Sequence, residues 1–174
     1  MNLFRLQLCP TLAAQDYQDL HVTKICLEAC QLLANCFSPQ KLESAPKTQA
    51  GTVRKHSHKH HPVSLHTKET SANYKWTVNH ALALCAEFEF RFGKKHFCEE
   101  FIKWAAENEP DLVPEGGATE WPQCFKHHPD CIVPNDPVAG YRQYYRKAKM
   151  SFNIRGKVVA ATWTKRSVPD YLTA

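Results

Sequence analysis

The feature that most constrains this chain is a long apolar stripe at its centre. Tyr74, Val78, Ala81, Leu82, Cys85, Phe88 and Phe92 recur at three- and four-residue steps. That spacing lines one face of an α-helix and requires a partner surface. Gly93 follows where a C-cap belongs, and Lys94 and Lys95 suit the negative end of the helix dipole. A second helical pattern over 96–107 presents Phe97, Phe101, Ile102, Trp104 and Ala105. Upstream, Ala13, Tyr17, Leu20, Ile25, Leu27, Ala29, Leu32, Leu33 and Cys36 predict one or two helices over 12–37, with Thr11 as N-cap. Asp136-Pro137 opens a last helix reaching about residue 152. A turn at Gly156 and a stretch from 158 to 163 follow it. Leu3, Leu6 and Leu8 alternate as a short extended segment would.

Two stretches lack any such period. Residues 38–62 are punctuated by Ser38, Pro39, Pro46, Gly51 and Pro62, and carry His56, His58, His60 and His61. They predict a flexible loop rich in His and Lys. Residues 108–137 hold Pro110, Pro114, Pro122, Pro129, Pro134 and Pro137 with Gly116 and Gly117, which predicts an irregular crossover. The expectation is an all-α, compact single domain spanning 1–174.

A chain of 174 residues with 43% hydrophobic side chains can bury a core of its own. No stretch approaches the roughly 20 apolar residues that cross a bilayer, so a membrane partner is not expected. The N-terminal segment lacks a basic region ahead of an apolar run and does not read as a signal peptide. Cys26, Cys30 and Cys85 fall inside helical patterns and read as reduced core thiols. Together these imply an intracellular protein. The net charge of +5 is unevenly spread: −1 over 1–37, +5 over 38–68, −5 over 69–120 and +6 over 121–174. If folding joins the two basic stretches, they make a phosphate-binding face. Otherwise they are a solvated surface.

Four groups of residues carry candidate chemistry. On a helix His21, Lys24 and Glu28 share a face, where a histidine, an ammonium and a carboxylate serve acid–base chemistry or hold a phosphate. The plainer alternative is a Lys24–Glu28 surface pair. Asn73, His80, Glu87, Arg91 and Lys94 border the central stripe as a polar edge, which a solvated face explains equally well. Cys124, His127, His128 and Cys131 have zinc-like spacing, though four ligands from eight residues is a tight fit. Residues 141–166 contain eight positive side chains and no acidic one. Tyr141, Tyr144 and Tyr145 interleave with Arg142, Arg146 and Lys149, and Trp163, Lys165 and Arg166 follow. Cations neutralise phosphates and aromatic rings stack on unpaired bases. At helical spacing the same tyrosines can instead be core.

Taken together, these stretches resemble a family of small proteins common in phage genomes. The likeness rests on Asn2-Leu-Phe, Pro10, Ala13-Ala14-Gln15, and His21-Val-x-Lys24 with Glu28. It continues in His61-Pro62, Ser71-x-Asn73-Tyr74-x-Trp76, Glu87 and Arg91-Phe-Gly93-Lys94, and in Tyr141-Arg142-x-Tyr144-Tyr145, Trp163-x-Lys165-Arg166 and Pro169. More distantly the layout is similar to the pyrimidine-dimer DNA glycosylase (endonuclease V) family, through Leu12-Ala13-Ala14-Gln15 and His61-Pro62 ahead of the long helix.

That second resemblance implies an all-helical, metal-free and cofactor-free enzyme. Its N-terminal α-amine attacks the deoxyribose C1′, displaces the base and forms a Schiff base, and elimination then nicks the strand. An α-amine with a pKa of about 7.7–8.0 is partly neutral near pH 7. A first-helix carboxylate assists sugar opening, and the target nucleotide is distorted or flipped. The pattern departs here in two ways. Asn2 is large for removal of the initiator methionine, so the amine belongs to Met1. The acid aligns cleanly with neither Asp19 nor Glu28, and Thr23 sits near its expected place.

The resemblance thus implies excision of damaged or modified bases from DNA, with DNA the expected partner rather than RNA. Met1 is the nucleophile and Glu28 or Asp19 the acid. His21, Lys24, Asn73, Arg91 and Lys94 position phosphates or the opened sugar. Tyr141, Arg142, Tyr145, Arg146, Lys149, Trp163, Lys165 and Arg166 contact the strand. The alternatives are a non-enzymatic nucleic-acid-binding subunit and a small zinc-stabilised interaction protein.

Overall fold

In the computed structural model, which describes residues 2–125 and 127–173, the central stripe becomes helix α5 (Ser71–Phe92). Its ends follow from local chemistry. The Thr70 side chain accepts a hydrogen bond from the Asn73 N–H at 3.2 Å, and Gly93 closes the C-terminus at φ +68°, a left-handed conformation that favours glycine. The helix buries Tyr74, Val78, Ala81, Leu84, Cys85 and Phe88 as its spacing demands. It also buries Asn73, His80, Glu87 and Arg91. Of the polar edge, for which a solvated face was one of the two readings, these four lie inside and only Lys94 is exposed.

Helix α5 packs chiefly on α1 (Pro10–Gln15), α2 (Asp19–Ala34), α4 (Pro62–Glu69) and α6 (Glu99–Glu107). The break between α1 and α2 falls at 16–18, where the Gln18 side chain caps α2 by accepting from the Leu20 N–H. The N-cap of α1 is Cys9 rather than Thr11, because Pro10 takes the first helical position, where its missing N–H costs nothing. Before α1, residues 3–6 thread the core, with Leu3 and Leu6 fully enclosed.

Residues 38–62 were expected to be flexible, and the last of them, Pro62, opens α4. They contain a short helix α3 (Pro39–Leu42) and then irregular backbone with fixed anchors. The Asn35 side chain brackets Ser57, donating to its carbonyl at 2.8 Å and accepting its N–H at 3.0 Å. The His56 ring bonds the Phe37 carbonyl at 2.8 Å, and Arg54 lies over the Phe101 ring. Residues 108–136 contain one 3-10 turn, Pro129–Cys131, and no other helix or strand among the described residues.

Helix α7 (Pro137–Ala148) opens as expected, with Asp136 accepting from the Ala139 N–H at 2.9 Å. It ends four residues early. Strand β1 (Ser151–Ile154) pairs antiparallel with β2 (Lys157–Ala160), so the chain is mainly helical rather than all-α. The turn between them has positive φ at Arg155 and Gly156, the geometry whose twist suits a two-residue hairpin. Residues 161–169 run back across the molecule to a terminal turn α8 (Asp170–Thr173). Among the described residues no helix is long and apolar enough to cross a membrane.

Candidate active site

A cleft of about 270 Å³ opens where the N-terminal segment crosses α2. Its lining includes Asn2, Phe4, His21, Lys24, Glu28, His61, Cys124, Tyr144 and Lys149. The helical spacing brings His21, Lys24 and Glu28 to one face of α2, and Phe4 and Tyr144 form the aromatic wall. The Asn2 backbone N–H donates to Glu28 Oε2 at 2.7 Å. Lys24 Nζ lies 3.6 Å from Glu28 Oε1, with the lysine 70% exposed and the carboxylate 12%. Asn2 is held from its side chain too: Nδ2 donates to the Cys124 carbonyl at 3.3 Å, and the Tyr141 hydroxyl contacts Oδ1 at 2.9 Å.

His21 is nearly enclosed. Its ring stacks on Phe4 at 4.6 Å, and Nδ1 lies 2.8 Å from the Tyr145 hydroxyl. That hydroxyl already accepts the Gln18 N–H at 2.9 Å. Its own proton is thus free for Nδ1, which leaves the histidine proton on Nε2. Burial, followed by the charges of Lys149 and Lys24, pushes the His21 pKa down to about 3. At neutral pH it is an uncharged imidazole and serves as a hydrogen-bond donor. His61 caps α4 by accepting from the Val63 N–H, and burial lowers its pKa as well.

The structure separates Asp19 from this cleft. Asp19 accepts from Thr162 Oγ1 at 2.7 Å, from Thr164 Oγ1 and N, and from Arg91 Nη1 at 3.0 Å. Burial alone would raise its pKa, but the bonds from Thr162, Thr164 and Arg91 outweigh it and hold the carboxyl low. Arg91 is spent inside the fold. It donates to Glu87 Oε1 at 2.6 Å and to the carbonyls of Tyr17 and Gln15. Arg166 completes this network with two bonds to Glu87.

The other expected strand-contacting residues divide in the same way. Tyr141 and Tyr145 are 0% exposed, so their rings are core and only their hydroxyls reach the site. Asn73 is buried between the His66 carbonyl and Thr119. Trp163 donates to the Asp16 carbonyl, Arg142 to the Leu6 carbonyl and Gln7 Oε1, and Lys165 to the Phe90 carbonyl. Lys94 and Arg146 are exposed. Lys149 reaches the cleft, with Nζ 5.0 Å from the centre of the Tyr144 ring. Met1 lies outside the described residues.

Among the described residues no three His, Cys, Asp or Glu side chains converge to suit a metal ion. Cys124 and His127 line the cleft, whereas the 3-10 turn carries Cys131 into the core beside α7. His128 instead packs near Tyr144. The four therefore do not form the zinc set their spacing suggested. Sequence reasoning missed the parts of the site supplied by backbone and packing: the Asn2 N–H, the Cys124 carbonyl and the aromatic wall. None of these has a signal in residue spacing.

Comparison of the chain with protein-family models found no match, and comparisons with curated proteins and with solved structures found none either.

Proposed function

We propose that this protein excises damaged or modified bases from DNA as a glycosylase with AP-lyase activity. The observation that carries this reading is the 2.7 Å bond from the Asn2 N–H to Glu28. The residue before Asn2 is Met1, so an α-amine there is one residue along the chain from a carboxylate held in a polar cleft. The reading requires that amine to be free.

In the proposed reaction the neutral amine attacks the sugar C1′, the bond to the base breaks, and the base leaves with a proton. Ring opening gives an iminium between C1′ and the amine nitrogen. Loss of a C2′ proton then expels the 3′ phosphate. Glu28 is the group suited to move protons at the sugar, and neutral His21 to donate a hydrogen bond to its oxygens. Lys24 and Lys149 supply positive charge for the flanking phosphates.

Borohydride reduction in the presence of an abasic-site duplex tests this. The expected result is a covalent protein–DNA adduct that is lost when the α-amine is acetylated. No adduct, under conditions where a known lyase gives one, overturns the chemistry. Persistent DNA binding without an adduct supports the non-enzymatic module instead.

A further inference from the structure

The C-terminal arm carries eight cations over 141–166, and the fold bonds at least half of them. Arg142, Lys165 and Arg166 are bonded within the chain, as described above, and Lys147 pairs with Asp130. Arg155 and Lys157 are different. Both are exposed at the tip of the β1–β2 hairpin, and neither side chain has a bonded partner among the described residues. No acidic residue occurs between 137 and 169. The same tip exposes apolar side chains: Val158 is 77% exposed, Val159 42% and Ile154 41%.

The register shows where this ribbon points. Phe152 pairs with Val159 and Ile154 with Lys157, so these four share a face. Phe152 packs against His21 at 5.4 Å, which roots that face at the wall of the cleft. The hairpin continues from the cleft as a bare two-stranded ribbon. Such a ribbon has little stability of its own in water, and a cluster of exposed valine and isoleucine at its tip marks an interaction surface.

We propose that the hairpin enters the major groove of duplex DNA beside the cleft. The inference rests on the nucleic-acid partner of the reading above, and not on its chemistry. Two strands about 4.8 Å apart fit a groove about 12 Å wide, which admits a two-stranded ribbon. Arg155 and Lys157 meet phosphates, and Ile154, on the same face as Lys157, meets thymine methyl groups.

The test uses the whole protein, an undamaged DNA duplex, an RNA duplex of the same sequence and vesicles containing phosphatidylserine. In an Arg155→Ala/Lys157→Ala variant, DNA affinity falls at least about tenfold, and the slope of log K against log salt becomes shallower by about 1.8, two phosphate contacts' worth. Ile154→Ser weakens DNA binding without changing that slope. All three side chains are exposed, and an unchanged melting curve confirms the fold. Wild-type affinity and slope in the double variant overturn the proposal. So does equal affinity for the RNA duplex, whose deep, narrow major groove excludes a ribbon. Hairpin-dependent binding to vesicles rather than DNA overturns it too. Borohydride trapping on a single-stranded abasic oligonucleotide separates the two readings. Trapping with hairpin-independent duplex binding removes the hairpin's role and keeps the chemistry. Hairpin-dependent duplex binding without trapping does the reverse.

Discussion

Two clusters of charge lie along helix α2, built from the same residue types and put to different use. At its first turn Asp19 is saturated by Thr162, Thr164 and Arg91, and Arg91 is saturated in turn by Glu87 and two carbonyls. That cluster joins α1, α2, α5 and the returning tail. Further along the same helix, Lys24 and Glu28 meet at 3.6 Å on the rim of a cleft, with the lysine mostly in solvent. Charges whose bonds are all made within the chain hold the fold. An ammonium left mostly in solvent beside a cavity, as Lys24 is, is available to a ligand.

The comparison breaks first at Arg91. Removing one member of a buried ion pair leaves its partner uncompensated, so Arg91→Met should cost about 3–5 kcal/mol in urea unfolding. A cost below about 1 kcal/mol would mean that the network is not the clamp described. The next effect is acid sensitivity. His21 and His80 have pKa values pushed down to about 3 and about 4, His21 by burial and then Lys149 and Lys24, His80 by burial against an opposing bond to the Pro10 carbonyl. The unfolded chain therefore takes up their protons first, and stability falls as pH drops below about 6.5. Each histidine withdraws about 2 kcal/mol by pH 5. His21→Phe should remove about half of that loss, seen as a flatter stability curve between pH 7 and pH 5.

Gly93→Ala comes third. Its φ of +68° strains any side chain, although a Cβ there meets nothing within 4 Å. The cost should be about 1–2 kcal/mol, measured as a lower melting temperature with unchanged DNA affinity. Smallest is Lys24→Ala. The exposed pair contributes less than about 1 kcal/mol to stability, yet the substitution should weaken DNA binding and flatten its salt dependence. A stability loss as large as that of Arg91→Met would erase the distinction between the two clusters.

Much of this was legible in the residues. The apolar stripe and Gly93 mark out α5, Asp136-Pro137 begins α7, and the i, i+3, i+7 spacing puts His21, Lys24 and Glu28 together. What was hidden was hidden for physical reasons. Arg91 and Glu87 could be read as a solvated edge because hydropathy cannot see a guanidinium whose partners arrive from residues 15–19, or a carboxylate whose partner arrives from Arg166. Asp19 looked equivalent to Glu28 because both sit on one helix, and only the returning tail tells them apart. The hairpin escaped notice because nearly every position in it is exposed, so it has no buried face to impose a period of two. The tyrosines of α7 were open between core and surface, and packing on Phe4, Tyr17 and Phe125 makes Tyr141 and Tyr145 core.

The central claim is that the cleft beside Glu28 is where an amine meets the sugar. Peptide mapping of the borohydride-reduced adduct tests it most directly, run on wild type and Glu28→Gln in parallel. The account predicts a single adduct at residue 1, lost at least about a hundredfold in Glu28→Gln while the melting temperature holds. An adduct mapped to Lys94 or Lys95 at the far end of α5, or one formed equally well without the carboxylate, would contradict it.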